Sequence, residues 1–309
     1  MAPTDPMTPR RPRGRLLRAA ARVVRNDRRA ALAVCWLGFL AVLALGAPLI
    51  APFDYAEQDL LDILAGPSGD HWLGTDELGR DILSRMIFAA RVSLQASFIA
   101  TGVGLAIGVP VGLLAGFAGG LIDNILMRIV DTLLSFPAIV LAIGVIAALG
   151  PGLVNAMIAV GIIFSPSFAR LIRGQVLSVR SRLYVDAART FGSPPWRIIG
   201  RHIVPNAVQP VIVQSAFLLA VALLAEAGLS FLGLGVQPPQ PSWGGMLRQA
   251  ARFIDRTAFQ VYIPGFAIAM TVLSFNLLGD AIRDALDPVA SSMRGIRRRR
   301  RAPATVAIQ

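Results

Sequence analysis

Long uncharged runs alternate along this chain with short segments rich in Arg or in acids, and the alternation predicts its elements. Ala30 to Ile50 carries no charge and, as a helix, is long enough to cross roughly 30 Å of hydrocarbon. Val92 to Ile122 is uncharged again, and Asp123, Arg128 and Asp131 then mark a short polar return. Thr132 to Ala169 runs 38 residues without a charge. One helix of that length would reach about 57 Å, far more than a bilayer, so Gly150-Pro151-Gly152 is read as the turn of a two-span hairpin. Asn206 to Ala225 and Ala258 to Gly279 complete six predicted transmembrane helices. The expected fold class is an all-α integral membrane protein, and an even number of spans puts both ends of the chain on one side.

The polar segments between the spans have opposite signs. Asp54 to Arg91 holds eight acids against three Arg, whereas Arg170 to Arg201 holds seven Arg and one acid. Positive charge gathers on the cytoplasmic side of membrane proteins. The 170–201 loop and both Arg-rich tails are therefore expected in the cytoplasm, and 54–91 and 235–257 outside it. Four regions follow: a basic tail 1–29, a first span with its external loop 30–91, a core 92–288 with the loop 170–205 inside it, and a basic tail 289–309.

Composition supports this picture and removes others. A chain that is 55% hydrophobic and 16% charged, with mean hydropathy +0.62, has the profile of a membrane protein. A net charge of +12 raises the question of nucleic acid, but 15 of the 30 basic residues lie in the two tails beside the spans. Positive-inside topology and contact with membrane lipids account for them, so no nucleic-acid partner is expected. Every basic residue other than the two His is Arg. Without a Lys the chain can supply neither a Walker A phosphate loop nor a Schiff-base nucleophile. Cys35 falls within the first span and is read as a small packed hydrophobe. The Pro- and Arg-rich start lacks a small-residue cleavage site and is not read as a signal peptide.

The polar stretch Tyr184 to Pro205 (YVDAARTFGSPPWRIIGRHIVP) has the most local design. At helical spacing Tyr184, Ala187, Ala188 and Phe191 share a face, with Asp186 and Arg189 off it. Gly192 stands where a helix would end with φ > 0. Ser193 and Pro194 suit the cap and first position of a second short helix, and Pro205 closes the stretch. Two short helices tied to two spans would act as a lever.

Asp186-Ala187-Ala188, Gly192 and Ile203-Val204-Pro205 together resemble the EAA…G…I-LP loop of ABC importer permeases, with Asp186 for the usual Glu and Val204 for the usual Leu. Further motifs are similar to one branch of that family, the dipeptide/oligopeptide/nickel permeases, and to their second, C-type chain. These are GTDELGRD at 74–81, LSFLGLGVQPP at 229–239 with Pro241-Ser242-Trp243-Gly244, and Asn276 to Asp280 followed by Arg283 to Pro288. The resemblance implies a type I ABC importer permease fold with six spans in a bacterial cytoplasmic membrane and both termini cytoplasmic. It implies a second, similar permease chain, two cytoplasmic ATPase subunits docking on Tyr184 to Phe191, and an extracytoplasmic solute-binding protein. ATP and Mg would then belong to the partner subunits, with no cofactor or metal and no catalytic residue in this chain.

Other candidate chemistry is sparse. Glu226, near the outer end of the fifth span with Ser230 one turn on, is the acid closest to membrane depth. Such residues are functional candidates, so a gate or solute contact is set beside a merely hydrogen-bonded interfacial Glu and a proton-coupling group. Asn276 is a possible pathway residue, although it and Gln214 equally suit helix–helix hydrogen bonds. His71 beside acids is read as a solvated loop residue rather than a metal ligand, Thr75 as an N-cap, and Trp243 as an interfacial aromatic. Gly104, Gly108 and Gly112 form a small-residue ladder for close helix packing. The rival function, an ion-coupled secondary transporter, would call for inverted repeats around midplane charges. Neither is visible.

Overall fold

The computed structural model describes residues 27–286; the basic tails, including the Arg cluster 294–301 and Asp287-Pro288, lie outside them. All regular elements among these residues are helical. Helix α1 (Arg28–Ile50) is capped by Asp27, whose carboxylate accepts from the Arg29 N–H. Helix α2 (Ile82–Ala118) is followed by α3 (Gly120–Ser135) and α4 (Ala138–Leu149). After the 150–152 turn, α5 (Leu153–Arg180) returns. The short α6 (Leu183–Thr190), α7 (Pro195–Ile198) and α8 (Val204–Phe231) lead to α9 (Trp243–Ala251), α10 (Ile254–Thr257) and α11 (Phe259–Leu286).

Five helices are long and apolar enough to span a membrane, and α3 with α4 makes a sixth only as one broken span, bent by 97°. The third span expected from Thr132 to the 150–152 turn is therefore not one continuous helix. Pro137 forces Phe136 into an extended conformation (φ −83°, ψ 138°), so the helix stops there and restarts in a new direction. What reads as a short polar return is the amphipathic α3. The Gly150–Gly152 turn is where the sequence puts it, with both glycines at positive φ.

The core is built on the parallel pair α2 and α5. Gly104, Gly108, Gly112 and Gly116 face Phe164, Ser165, Ala169 and Val176 in register. A Cβ on Gly108 would stand 2.3 Å from the Ser165 carbonyl oxygen, so the backbones meet because nothing lies between them. Helix α8 packs on this pair, α11 packs on α8, and α1 closes the outside against α2 and α11, where Trp36 Nε1 donates to Thr271 Oγ1 at 3.1 Å.

The acid-rich segment 51–81 folds back as a cap on one end. Its start-of-helix signal differs from the expected one. Asp81, not Thr75, caps α2, its carboxylate accepting from the Ser84 N–H at 2.7 Å. Thr75 is fully buried and its Oγ1 instead bonds Asp62 and Ala65 of the cap. His71 is not solvated: it is buried, with Nδ1 3.0 Å from Asp81 Oδ1. Trp243 is also buried rather than interfacial, in a cluster with Leu40, Ala89, Leu223 and Ile268. Cys35 is exposed on the outer face of α1, so it is not packed. Periodicity along one helix cannot say which neighbours cover which face.

Candidate functional site

At the end opposite the acidic cap, α6 lies beyond the ends of the spans. Its geometry begins with Arg180, whose Nη1 donates to the Phe117 carbonyl at 3.1 Å and ties the end of α5 to that of α2. The chain turns at Ser181 and α6 starts two residues later. Gly192 has φ +73°. Its N–H donates to the Arg189 carbonyl at 2.9 Å and that of Ser193 to the Ala188 carbonyl at 3.0 Å. This pair of bonds is a Schellman motif, and it satisfies carbonyls that would otherwise end the helix unpaired.

Only Val185 anchors α6 inward. It is fully buried with Ile172, Val176, Val179, Ile198, Ile203 and Ala207. The face named from sequence points out: Tyr184 is 41% and Phe191 88% exposed, Ala187 is exposed, and Ala188 is half-buried. Asp186 is on the surface, 3.9 Å from Arg189. Tyr184 packs on His202, ring centroids 5.6 Å apart, which links α6 to the chain leading into α8. Leu183 (87% exposed) and Trp196 (70% exposed) widen the apolar surface. Sequence reasoning passed over both, although an apolar residue beside Arg182 and a Trp among Arg were the available signal.

The second short helix departs from expectation. Ser193 makes no side-chain cap, Pro194 is the cap residue and Pro195 begins α7. Nor is α7 separate. It passes through one π-helical turn, Ile199–Ile203, directly into α8, so Pro195–Phe231 forms one 37-residue rod. The wider turn, in which the Val204 N–H bonds the Ile199 carbonyl, makes room for the ring and missing N–H of Pro205. Ile203 is buried in the base of the loop, whereas Pro205 is an exposed residue of the first turn of α8. The outward face of α6 and the motif's Ile203 thus have different positions, one presented and one structural.

Near the far end of that rod, Glu226 is fully buried. Ser230 Oγ donates to its Oε1 at 2.7 Å and Ser93 Oγ of α2 to its Oε2 at 3.1 Å. The same hydroxyls accept from the Val236 and Trp243 N–H groups. The acid therefore knots α2, α8, the 232–242 loop and the start of α9 together. Gly235 packs so tightly on Ser230 that a Cβ there would lie 2.2 Å from Oγ. Asn276 does not join this knot. Gly279, one turn beyond it on α11, meets Ala216, ten residues and about 15 Å of helix before Glu226. Among the described residues no group of three or more His, Cys, Asp or Glu is arranged to hold a metal.

Comparison with known proteins adds to this geometry. Residues 108–291 match the family described as binding-protein-dependent transport system inner membrane component, and residues 15–67 match the N-terminal TM domain of oligopeptide transport permease C. The chain is 43% identical to the dipeptide transport system permease protein DppC of Alkalihalophilus pseudofirmus, covering 89% of this chain and 90% of that one. It is 44% identical to the glutathione transport system permease protein GsiD of Pectobacterium atrosepticum, covering 82% and 84%. In fold it is similar to an inward-facing structure of the MetNI methionine ABC transporter, with TM-score 0.55 and 20% identity over 67% of this chain and 98% of that chain.

Proposed function

This chain belongs to the family of binding-protein-dependent transport system inner membrane components, and on that premise we propose that it forms half of the path of an ATP-driven importer for peptides or a related small solute such as a nickel complex. It is a multi-pass transport subunit. Two ATPase subunits, a second permease chain and a solute-binding protein complete the assembly, and the α6 end faces the cytoplasm. Family membership favours this reading over an ion-coupled transporter.

The observation that supports it is the mounting of α6. An exposed apolar face sits on a helix held by a single buried side chain, Val185, between the end of α5 and the start of the Pro195–Phe231 rod. ATPase closure pushing on Tyr184, Ala187 and Phe191 moves α5 and the rod together. The rod carries that motion to Glu226 and Ser230, and access alternates between the two sides. Asp186, at the rim of the face, is available to a basic group of the ATPase.

The experiment compares substrate uptake and ATPase co-purification at matched membrane expression. Open space surrounds Gly192, so Gly192→Val acts through backbone conformation alone, at a cost of roughly 1–2 kcal/mol for a β-branched residue at that φ. Ala188→Glu brings an unpaired charge to the docked face. Both variants are expected to lose uptake, and an Arg182→Ala control to keep it. Wild-type uptake by Gly192→Val and Ala188→Glu alike refutes the coupling role.

A further inference from the structure

The acidic-cap end holds a polar cavity of about 230 Å³, walled in part by Arg85 of α2 and by Ser242, Arg248, Gln249 and Arg252 in or beside α9. Its charges do not balance. Arg85 is buried, with Nη1 on the Tyr55 carbonyl at 3.0 Å, Nη2 on Gln249 Oε1 at 3.3 Å and Nε 3.3 Å from Asp76. Asp76 also holds Arg80 at 2.8 Å, and Glu77 lies 3.5 Å from the same Arg80. Glu77 is itself on the cavity wall, but it and Asp76 are paired with Arg80 and Arg85. Arg248 and Arg252 form no ion pair among the described residues.

Arg248 is nonetheless held in place. Its guanidinium lies over Gly233, where a Cβ would stand 2.2 Å from Nη1, so the LGLG sequence leaves the room it occupies. Arg252, four residues on and exposed just past the end of α9, follows on the same side, whereas Arg248 is half-buried. A half-buried guanidinium without a counter-ion is costly, and a planar anion meets its donors two at a time. Gln249 accepts from Arg85 through Oε1, which leaves its Nε2 to donate. Ser242 Oγ accepts from the Gly245 N–H and its own hydroxyl is committed to Glu226.

We propose that this cavity binds the carboxylate of a small organic solute, with Arg248 and Arg252 as its partners. Pockets for whole small molecules run to about 300–1,000 Å³, so this one takes one end of a larger solute. Given the importer reading above, on which this step rests, that end is the terminal carboxylate of a peptide. Ser230, the partner of Glu226, is also on the wall, so an occupant touches the rod that α6 drives.

The test is equilibrium binding of radiolabelled N-acetyl-dialanine to the full chain in phosphatidylcholine nanodiscs, beside its C-terminal amide and inorganic phosphate. The free acid is expected to bind at least tenfold tighter than the amide. Arg248→Gln with Arg252→Gln should abolish that preference without altering amide binding, and the Lys pair should retain part of it. Should the Gln pair fail to fold, as judged by its thermal midpoint, the Lys pair and the acid–amide contrast decide. Equal binding of acid and amide, or no binding of the acid to folded wild type, overturns the proposal. Displacement by phosphate or added phosphatidylglycerol below the concentration at which the acid itself competes assigns the site to lipid headgroups and also overturns it. The assay uses no ATPase, so its failure leaves the α6 reading intact, and failure of the Gly192→Val experiment leaves this site intact.

Discussion

Gly108→Ala puts one methyl group into the seam between α2 and α5. The added carbon would lie 2.3 Å from the Ser165 carbonyl oxygen and 2.7 Å from Phe168 Cβ. Ordinary contact is about 3.5 Å, so the helices must part by about 1 Å at this point. They are parallel, and Gly104, Gly112 and Gly116 meet the same partner, so the separation is felt along the seam. A gap of about 0.5–1 Å forfeits a quarter to a half of each contact's attraction, and overpacked substitutions cost about 1–3 kcal/mol. Ala returns up to about 1 kcal/mol of helix propensity, which leaves a net loss of about 0–2 kcal/mol. Gly102, on the same helix, has nothing within 4 Å of its would-be Cβ. Gly102→Ala is therefore expected to be neutral or slightly stabilising. The assay is the unfolding free energy of each variant in bicelles, at equal lipid composition. If Gly108→Ala is as stable as Gly102→Ala, the close approach of these backbones is wrong and so is the physical reason given for the glycine ladder.

Three other outcomes are expected. Glu226→Gln keeps an acceptor for one of the two serine hydroxyls and turns a donor toward the other, and should cost about 1 kcal/mol, whereas Glu226→Ala leaves both hydroxyls and a cavity and should cost about 2–4 kcal/mol; equal losses in thermal unfolding would refute the knot. Arg173 grips Asp123 in a two-pronged contact at 2.6 and 2.8 Å, while Arg170–Asp131 is more than half exposed. Double-mutant cycles should give about 1 kcal/mol for the first, discounted for partial exposure, and less for the second; the reverse order would contradict this account of how α3 is held to α5. For topology, Cys introduced at Arg182 in a Cys35→Ala background should resist an impermeant thiol reagent applied to intact cells, and Cys at Asp70 should react. Labelling at 182 from outside would invert the map.

The sequence alone carried the elements whose cause is local. Uncharged length makes a span, two glycines around Pro151 make a turn, and Gly192 ends a helix because its φ is positive. Those signals depend on the residue and its immediate neighbours. The ladder at Gly104, Gly108 and Gly112 was legible as a packing face for the same reason, though its partner α5 was not. What the tertiary structure alone decided is which face meets what. Trp243, His71 and Thr75 read as surface or cap residues because no helical spacing links them to what covers them: Leu40, Leu223 and Ile268 for Trp243, Phe53 and Asp81 for His71, and the folded-back cap with Gln260 for Thr75. Val185 was hidden because a lone apolar residue in a short helix has no periodicity to report. The break at Phe136-Pro137 was masked by a hydrophobic run that hydropathy counts as continuous. The excess charge at Arg248 and Arg252 emerges only when Asp76 and Glu77, more than 160 residues earlier, are seen to be occupied by Arg80 and Arg85. Pairing between distant charges is a property of three-dimensional distance, and no spacing along the chain encodes it.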